Sequence, residues 1–122
     1  MSRKDRKGFI LSELEFSLLI TLKNEELYGL ELLERINKAR RNPKVKMSEL
    51  GIGSLYPTLK RMEEAKLIKG EFREPVAGEG SPRRKYYKLL EKGLIAIRRT
   101  QVYRTLLEDK QDKTPVPNGT PA

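Results

Sequence analysis

Residues 53–63 read Gly-Ser-Leu-Tyr-Pro-Thr-Leu-Lys-Arg-Met-Glu, and within them Leu55, Leu59 and Met62 recur at the spacing of one helix face. With about 100° of rotation per residue, Tyr56, Pro57, Lys60 and Arg61 must point away from that stripe. Such a helix buries leucines on one side and offers an aromatic ring, a lysine and an arginine on the other. Ser54 is the expected N-cap of a helix over residues 54–65, which puts Pro57 in the first turn, where its missing N–H costs nothing. A domain built around this element needs a core on one side of it and leaves the other side free for a partner.

The remaining segments supply that core. Ser12 and Glu15 form an S-x-x-E capping box at the start of a first helix over residues 12–23, in which Leu14, Leu18 and Leu22 share a face and Phe16 and Ile20 flank it. After Leu27-Tyr28-Gly29, the repeat of Leu30, Leu33 and Ile36 predicts a second helix ending near residue 39. Pro43 enforces a loop over residues 40–46. Past the third helix, Ile68, Gly70 and Phe72 alternate with Lys69, Glu71 and Arg73, the period of a half-buried strand. A second strand is expected over residues 85–89, with Tyr86 and Tyr87 on opposite faces and the choice of the buried one left open. The loop over residues 75–82 holds two glycines and two prolines and is too long for a two-residue hairpin, so it should project.

A last helix over residues 91–109 shows Ile95, Val102 and Leu106 on one side, with Leu94, Ile97, Tyr103 and Leu107 adjoining. No further element of the chain is left to cover it, so a twofold dimer through this stripe is preferred over cover by the first helix alone. Residues 111–122, with three prolines and no large side chain beyond Val116, read as a disordered tail. The fold class expected is mostly α with a small β-hairpin, a winged helix-turn-helix plus a long C-terminal helix. The expected division is a basic arm over residues 1–10, the winged domain over 11–90, the dimerisation helix over 91–110 and the tail over 111–122.

Charge and composition narrow the chemistry. The 122 residues hold 26 Lys and Arg against 17 Asp and Glu, a net charge of +9, with no cysteine, histidine or tryptophan. Disulfides, thiolate chemistry and imidazole ligands are therefore excluded, and no catalytic residue, metal site or cofactor is assigned. Gly51-Ile52-Gly53 lacks the third glycine of a dinucleotide loop, and Gly78 to Arg83 lacks the Gly-Lys-Ser/Thr end of a P-loop. The N-terminus lacks the apolar stretch of a secretory signal and no apolar run approaches ~20 residues, so a cytoplasmic protein with no membrane partner is expected. The positive charge is clustered. Arg35, Lys38, Arg40, Arg41, Lys44 and Lys46 follow one another without an intervening acid, and Arg83, Arg84, Lys85 and Lys88 form a second group. Clusters flanking one candidate recognition helix point to a polyanion.

Helix, helix, recognition helix, strand, loop, strand, helix is the order of a winged helix-turn-helix. Ser54, Tyr56, Pro57, Thr58, Lys60 and Arg61 on the third helix, with Arg83, Arg84 and Lys85 of the wing over residues 75–85, are the expected double-stranded DNA contacts. These pieces resemble the PadR-like winged-helix transcriptional regulators. The resemblance covers roughly residues 11–110. It is carried by Leu11-Ser12-Glu13-Leu14-Glu15, Leu27-Tyr28-Gly29, the run over residues 53–63, Leu67-Ile68, the wing over residues 80–87 and Leu89-Leu90-Glu91-Lys92-Gly93.

The resemblance implies a homodimer joined through the first and last helices, with Leu14, Leu18, Leu94, Ile95, Val102 and Leu106 at the joint. It further implies a palindromic promoter operator, usually repressed, and matches the compact subgroup with a single C-terminal helix. Tyr56, Arg83 and Arg84 are the residues its motifs carry over to the DNA interface. Two positions depart from the family pattern: Leu90 stands where a threonine is common, so the last helix lacks its expected cap, and Ser81 replaces an arginine or proline. With no tryptophan to hold a planar ligand, a small-molecule effector is not expected. A winged protein-interaction module and a charge-only nucleic-acid binder are the alternative readings.

Overall fold

In the computed structural model, residues 10–75 and 83–109 are described. The expected N-terminal arm before residue 10, most of the wing loop and the expected tail lie outside them. Helix α1 spans Glu13–Thr21, strand β1 Leu27–Tyr28, α2 Gly29–Arg40, α3 Ile52–Glu64, β2 Ile68–Arg73, β3 Arg84–Leu89 and α4 Glu91–Glu108.

The capping box at α1 forms as its sequence requires: the Glu15 N–H donates to Ser12 Oγ at 3.1 Å, and the Ser12 N–H donates to Glu15 Oε1 at 2.8 Å. Leu18 and Leu19 of α1 and its C-cap Leu22 enter the core, together with Leu32 and Ile36 of α2, Leu55, Leu59 and Met62 of α3, and Ile68, Tyr87 and Ile97. In α2 the buried line is thus Leu32 and Ile36, four residues apart, whereas Leu30 of the expected repeat is exposed.

The sheet has three antiparallel strands in the order β1-β3-β2, one more than the expected hairpin. The extra strand is the short Leu27–Tyr28 segment, in which Leu27 pairs with Tyr87 and Tyr28 with Tyr86. On β2 the register sets Ile68 opposite Leu89, Gly70 opposite Tyr87 and Arg73 opposite Arg84. The pleat then decides the tyrosines: Tyr87 joins the core and Tyr86 lies on the outer face, edge-on to Tyr28 with ring centroids 5.4 Å apart. Phe72 shares the inner face but is exposed, because the strand runs past the end of the core.

The loop between α2 and α3 is held by one buried side chain. Asn37 Nδ2 donates to the Leu50 carbonyl at 3.0 Å, and the Leu50 N–H donates back to Asn37 Oδ1 at 2.7 Å. This paired bond fixes the segment that leads into α3.

At the other end, α3 closes on Lys66 in the left-handed region, φ 67°. The Leu67 N–H donates to the Met62 carbonyl and the Lys66 N–H to the Glu63 carbonyl, both at 3.0 Å. This is the double-bonded stop that usually places glycine at that position.

Helix α4 packs on α1, correcting the expectation that nothing remained to cover it. Gly93, Ala96, Ile97 and Thr100 face inward. Fully buried Thr100 accepts the Leu11 N–H at 3.0 Å, and Arg104 stacks on Phe16 with its guanidinium carbon 4.2 Å from the ring centroid. Ile95, Val102 and Leu106 remain exposed on the far side of α4, and Tyr103 and Leu107, which continue the line of Ala96 and Thr100, are exposed toward its C-terminal end. Its N-cap, Leu90, makes no side-chain capping bond, in keeping with the missing threonine. Among the described residues, no helix is long and apolar enough to cross a membrane, and no group of three or more His, Cys, Asp and Glu residues is arranged to hold a metal ion.

Candidate nucleic-acid interface

Leu55, Leu59 and Met62 of α3 are in the core, so the opposite side of the helix is fixed outward, and Tyr56, Pro57, Lys60 and Arg61 are all exposed. Tyr56 is 39% exposed, and its ring rests on the first residue of α2. A Cβ at Gly29 would stand 2.7 Å from Tyr56 Cε1, so only glycine lets the tyrosine lie there. The ring is therefore seated on the fold and open to a partner at once. Lys60 forms no ion pair among the described residues, while Arg61 folds back along the helix, its Nη2 donating to Thr58 Oγ1 at 3.3 Å.

Two expectations about this helix are corrected, the cap at Ser54 and the outward face of Thr58. Helix α3 starts at Ile52 with Gly51 as N-cap, because the Ser54 and Leu55 N–H groups both reach the Gly51 carbonyl at 3.1 Å. Ser54 is thus an exposed residue within the first turn, not the cap, and Pro57 falls in the second turn. Thr58 is buried, and its hydroxyl donates to the Ser54 carbonyl at 2.8 Å, so it faces the core and not an outside molecule.

The wing basic residues separate by strand alternation. Arg83 lies over the ring of Phe72 at 4.9 Å and 3.6 Å from Glu74 Oε2, on the α3 side of the sheet. Arg84 points to the other face and stacks on Tyr28 at 4.5 Å, beside Arg73, which covers Tyr86 at 4.3 Å and pairs with Glu26. Lys85 returns to the α3 side but is half-buried, and its Nζ donates to Glu63 Oε1 at 3.0 Å. Glu63 Oε2 also accepts the Gly70 N–H at 3.3 Å, so one carboxylate ties both wing strands to α3. Lys85 is therefore a tether more than an offered cation. The same carboxylate, after burial itself, pushes the Tyr87 phenol above its ordinary pKa. Between α3 and the wing runs an open groove of about 480 Å³, lined by Tyr56, Lys60, Lys66, Lys85, Glu63, Glu64 and Tyr87.

The other basic cluster differs. Arg35 makes a two-bond pair with Glu25 at 2.7 and 3.1 Å, and this hydrogen bonding holds the Glu25 carboxyl below its ordinary pKa and raises that of Arg35. Arg41 pairs with Glu49 at 2.7 Å, and Arg40 reaches Glu13 and the Ser48 carbonyl at 3.3 and 3.1 Å. All of its arginines are thus engaged, and Lys38, Lys44 and Lys46 are left exposed.

Of the expected dimer residues, Leu18 is fully buried within its own subunit and is not available to a second copy. Leu14 and Leu94 are half-buried, and Ile95, Val102 and Leu106 are exposed. Sequence reasoning missed the tethering role of Glu63, whose one signal was a carboxylate five residues before β2.

Comparison with known proteins agrees with this architecture. No curated protein matches at a significant level. Among solved structures, a PadR-like transcription factor from Bacteroides fragilis is 26% identical, with TM-score 0.67 over 81% of this chain and 86% of its own. A PadR-like transcriptional regulator from Bacillus cereus is 31% identical, with TM-score 0.62 over 81% and 87%. Bacillus subtilis PadR, solved in complex with operator DNA, shares the fold at 17% identity, with TM-score 0.56 over 70% of this chain and 45% of its own. Residues 18–99 match the model of the transcriptional regulator PadR-like family, and the chain belongs to that family.

Proposed function

We propose that the chain is a dimeric, sequence-specific DNA-binding repressor that acts on a palindromic operator, with α3 in the major groove and the tip of the wing on the adjacent backbone. The observation that carries this reading is the two-sided build of α3. Its leucine side is wholly internal, and Tyr56, Pro57, Lys60 and Arg61 stand exposed on a helix that the Asn37 and Glu63 contacts hold rigidly. Rigid presentation of a helix is what base reading needs, since hydrogen bonds to base edges are directional and phosphate contacts fix only register. The operator complex of Bacillus subtilis PadR supports the same use of the fold.

Two copies would join through the exposed side of α4, where Ile95, Val102 and Leu106 form an uncovered apolar strip, together with half-buried Leu14 and Leu94. A twofold pair of this kind demands half-sites about one helical turn apart, roughly 34–36 Å. No effector or cofactor is assigned, and the assembly would act in the cytoplasm.

The test is binding to duplexes from the promoter region beside its own gene, compared with random duplexes over a range of salt. The reading expects at least roughly a thousandfold preference for one site and a protein dimer at that site. Equal affinity for all duplexes would leave only a charge-driven binder.

A further inference from the structure

The early start of α3 puts an apolar residue at the end of the helix that a groove would meet first. Ile52 is the first helical residue and is 55% exposed. At positions i, i+4 and i+8 it shares a face with Tyr56 and Lys60. Next to it stands Gly53, for which the fold has no use: a Cβ built there meets nothing within 4 Å, and the residue does not have the left-handed backbone that favours glycine. Glycine is also the poorer helix former, so alanine would suit this turn better on internal grounds alone. A bare position on an exposed helix face matters only to something arriving from outside, which can then come close to the backbone.

If α3 lies in a major groove, as the proposed function requires, its N-terminal turn meets base edges. The apolar feature of that surface is the 5-methyl group of thymine, and a branched aliphatic side chain is its natural complement. We infer that the first turn of α3 reads a thymine in each half-site: Ile52 packs on the 5-methyl group, and Gly53 lets the helix approach closely enough for it to do so. Both are specificity residues outside the basic set, and neither contributes to the core.

The test uses the full chain and a duplex that it selects from a randomised library, with each thymine replaced in turn by deoxyuridine, which lacks only the methyl group. One symmetric pair of thymines should weaken binding about fourfold for each methyl removed. Ile52→Ala should lose that difference while folding normally. Gly53→Ala should raise the urea midpoint yet weaken the selected duplex about tenfold or more. A deoxyuridine effect that is absent everywhere, or that persists in Ile52→Ala, overturns the thymine contact. Unaltered binding by Gly53→Ala overturns the close approach. Failure to select any duplex over random sequence is a separate result, which removes the groove-reading function and this inference with it.

Discussion

The two basic segments look alike along the chain and are paired differently in the fold. Between residues 35 and 41, each arginine is matched by an acid or a carbonyl from elsewhere in the fold: Glu25 for Arg35, Glu13 and Ser48 for Arg40, Glu49 for Arg41. On α3 and the wing the pairing is partial: Lys85 pairs with Glu63 and Arg83 stands 3.6 Å from Glu74, whereas Lys60 has no ion pair among the described residues and Arg84 rests on an aromatic ring. Exposed ion pairs add little stability, so the first segment's pairing matters mainly because it neutralises the three arginines, leaving Lys38, Lys44 and Lys46 as its exposed charge. A run of like charge in the sequence therefore does not say which of its cations the fold leaves without a counter-charge.

The comparison can be broken most severely at the loop between the two segments. Asn37→Ala strands the buried N–H and carbonyl of Leu50, and should cost about 2–4 kcal/mol in urea denaturation. A loss below 1 kcal/mol would mean that the loop is held by something else. The next effect is on binding. Lys60→Ala with Arg61→Ala should reduce affinity roughly ten- to a hundredfold and flatten the slope of log K against log salt by up to about 0.9 for each lost phosphate contact. Arg35→Ala with Arg41→Ala removes the same charge, yet should leave that slope unchanged. Equal slopes for the two double variants would erase the distinction.

Within the wing a smaller difference is expected. Arg83→Ala, on the α3 side of the sheet, should lower the slope by up to about 0.9, and Arg84→Ala, on the outer face, by less. The smallest effect uses a feature both regions share, a lysine in the left-handed region: φ is 53° at Lys46 and 67° at Lys66. Lys66→Gly should stabilise the fold by up to about 1 kcal/mol in the same denaturation assay.

What could be read from the sequence was what is local. The Ser12–Glu15 box and the Leu55, Leu59 and Met62 stripe involve neighbours within one helix, so periodicity alone locates them. The start of α3 differs because Ser54 has the chemistry of a cap, whereas the Gly51 carbonyl collects the first N–H groups three residues earlier. Strand β1 has only two residues, too few to show a period, and exists because β3 offers it a free edge. Leu18 fell on an apolar face that sequence cannot divide between a subunit's own core and a partner. The ion pairs of Arg35, Arg40 and Arg41 join residues 8–27 positions apart, and Lys85 finds Glu63 across 22 positions. No pattern in a window of that chain reports such meetings.

The central claim is that the outward side of α3, with the α3 side of the wing, is the surface that meets DNA. Amide chemical shifts of the labelled full chain, titrated with its selected duplex, test it most directly. The account predicts the largest changes across residues 51–61 and 72–85, with little change over residues 35–41. Large changes centred on residues 35–47 while α3 stays silent would contradict it.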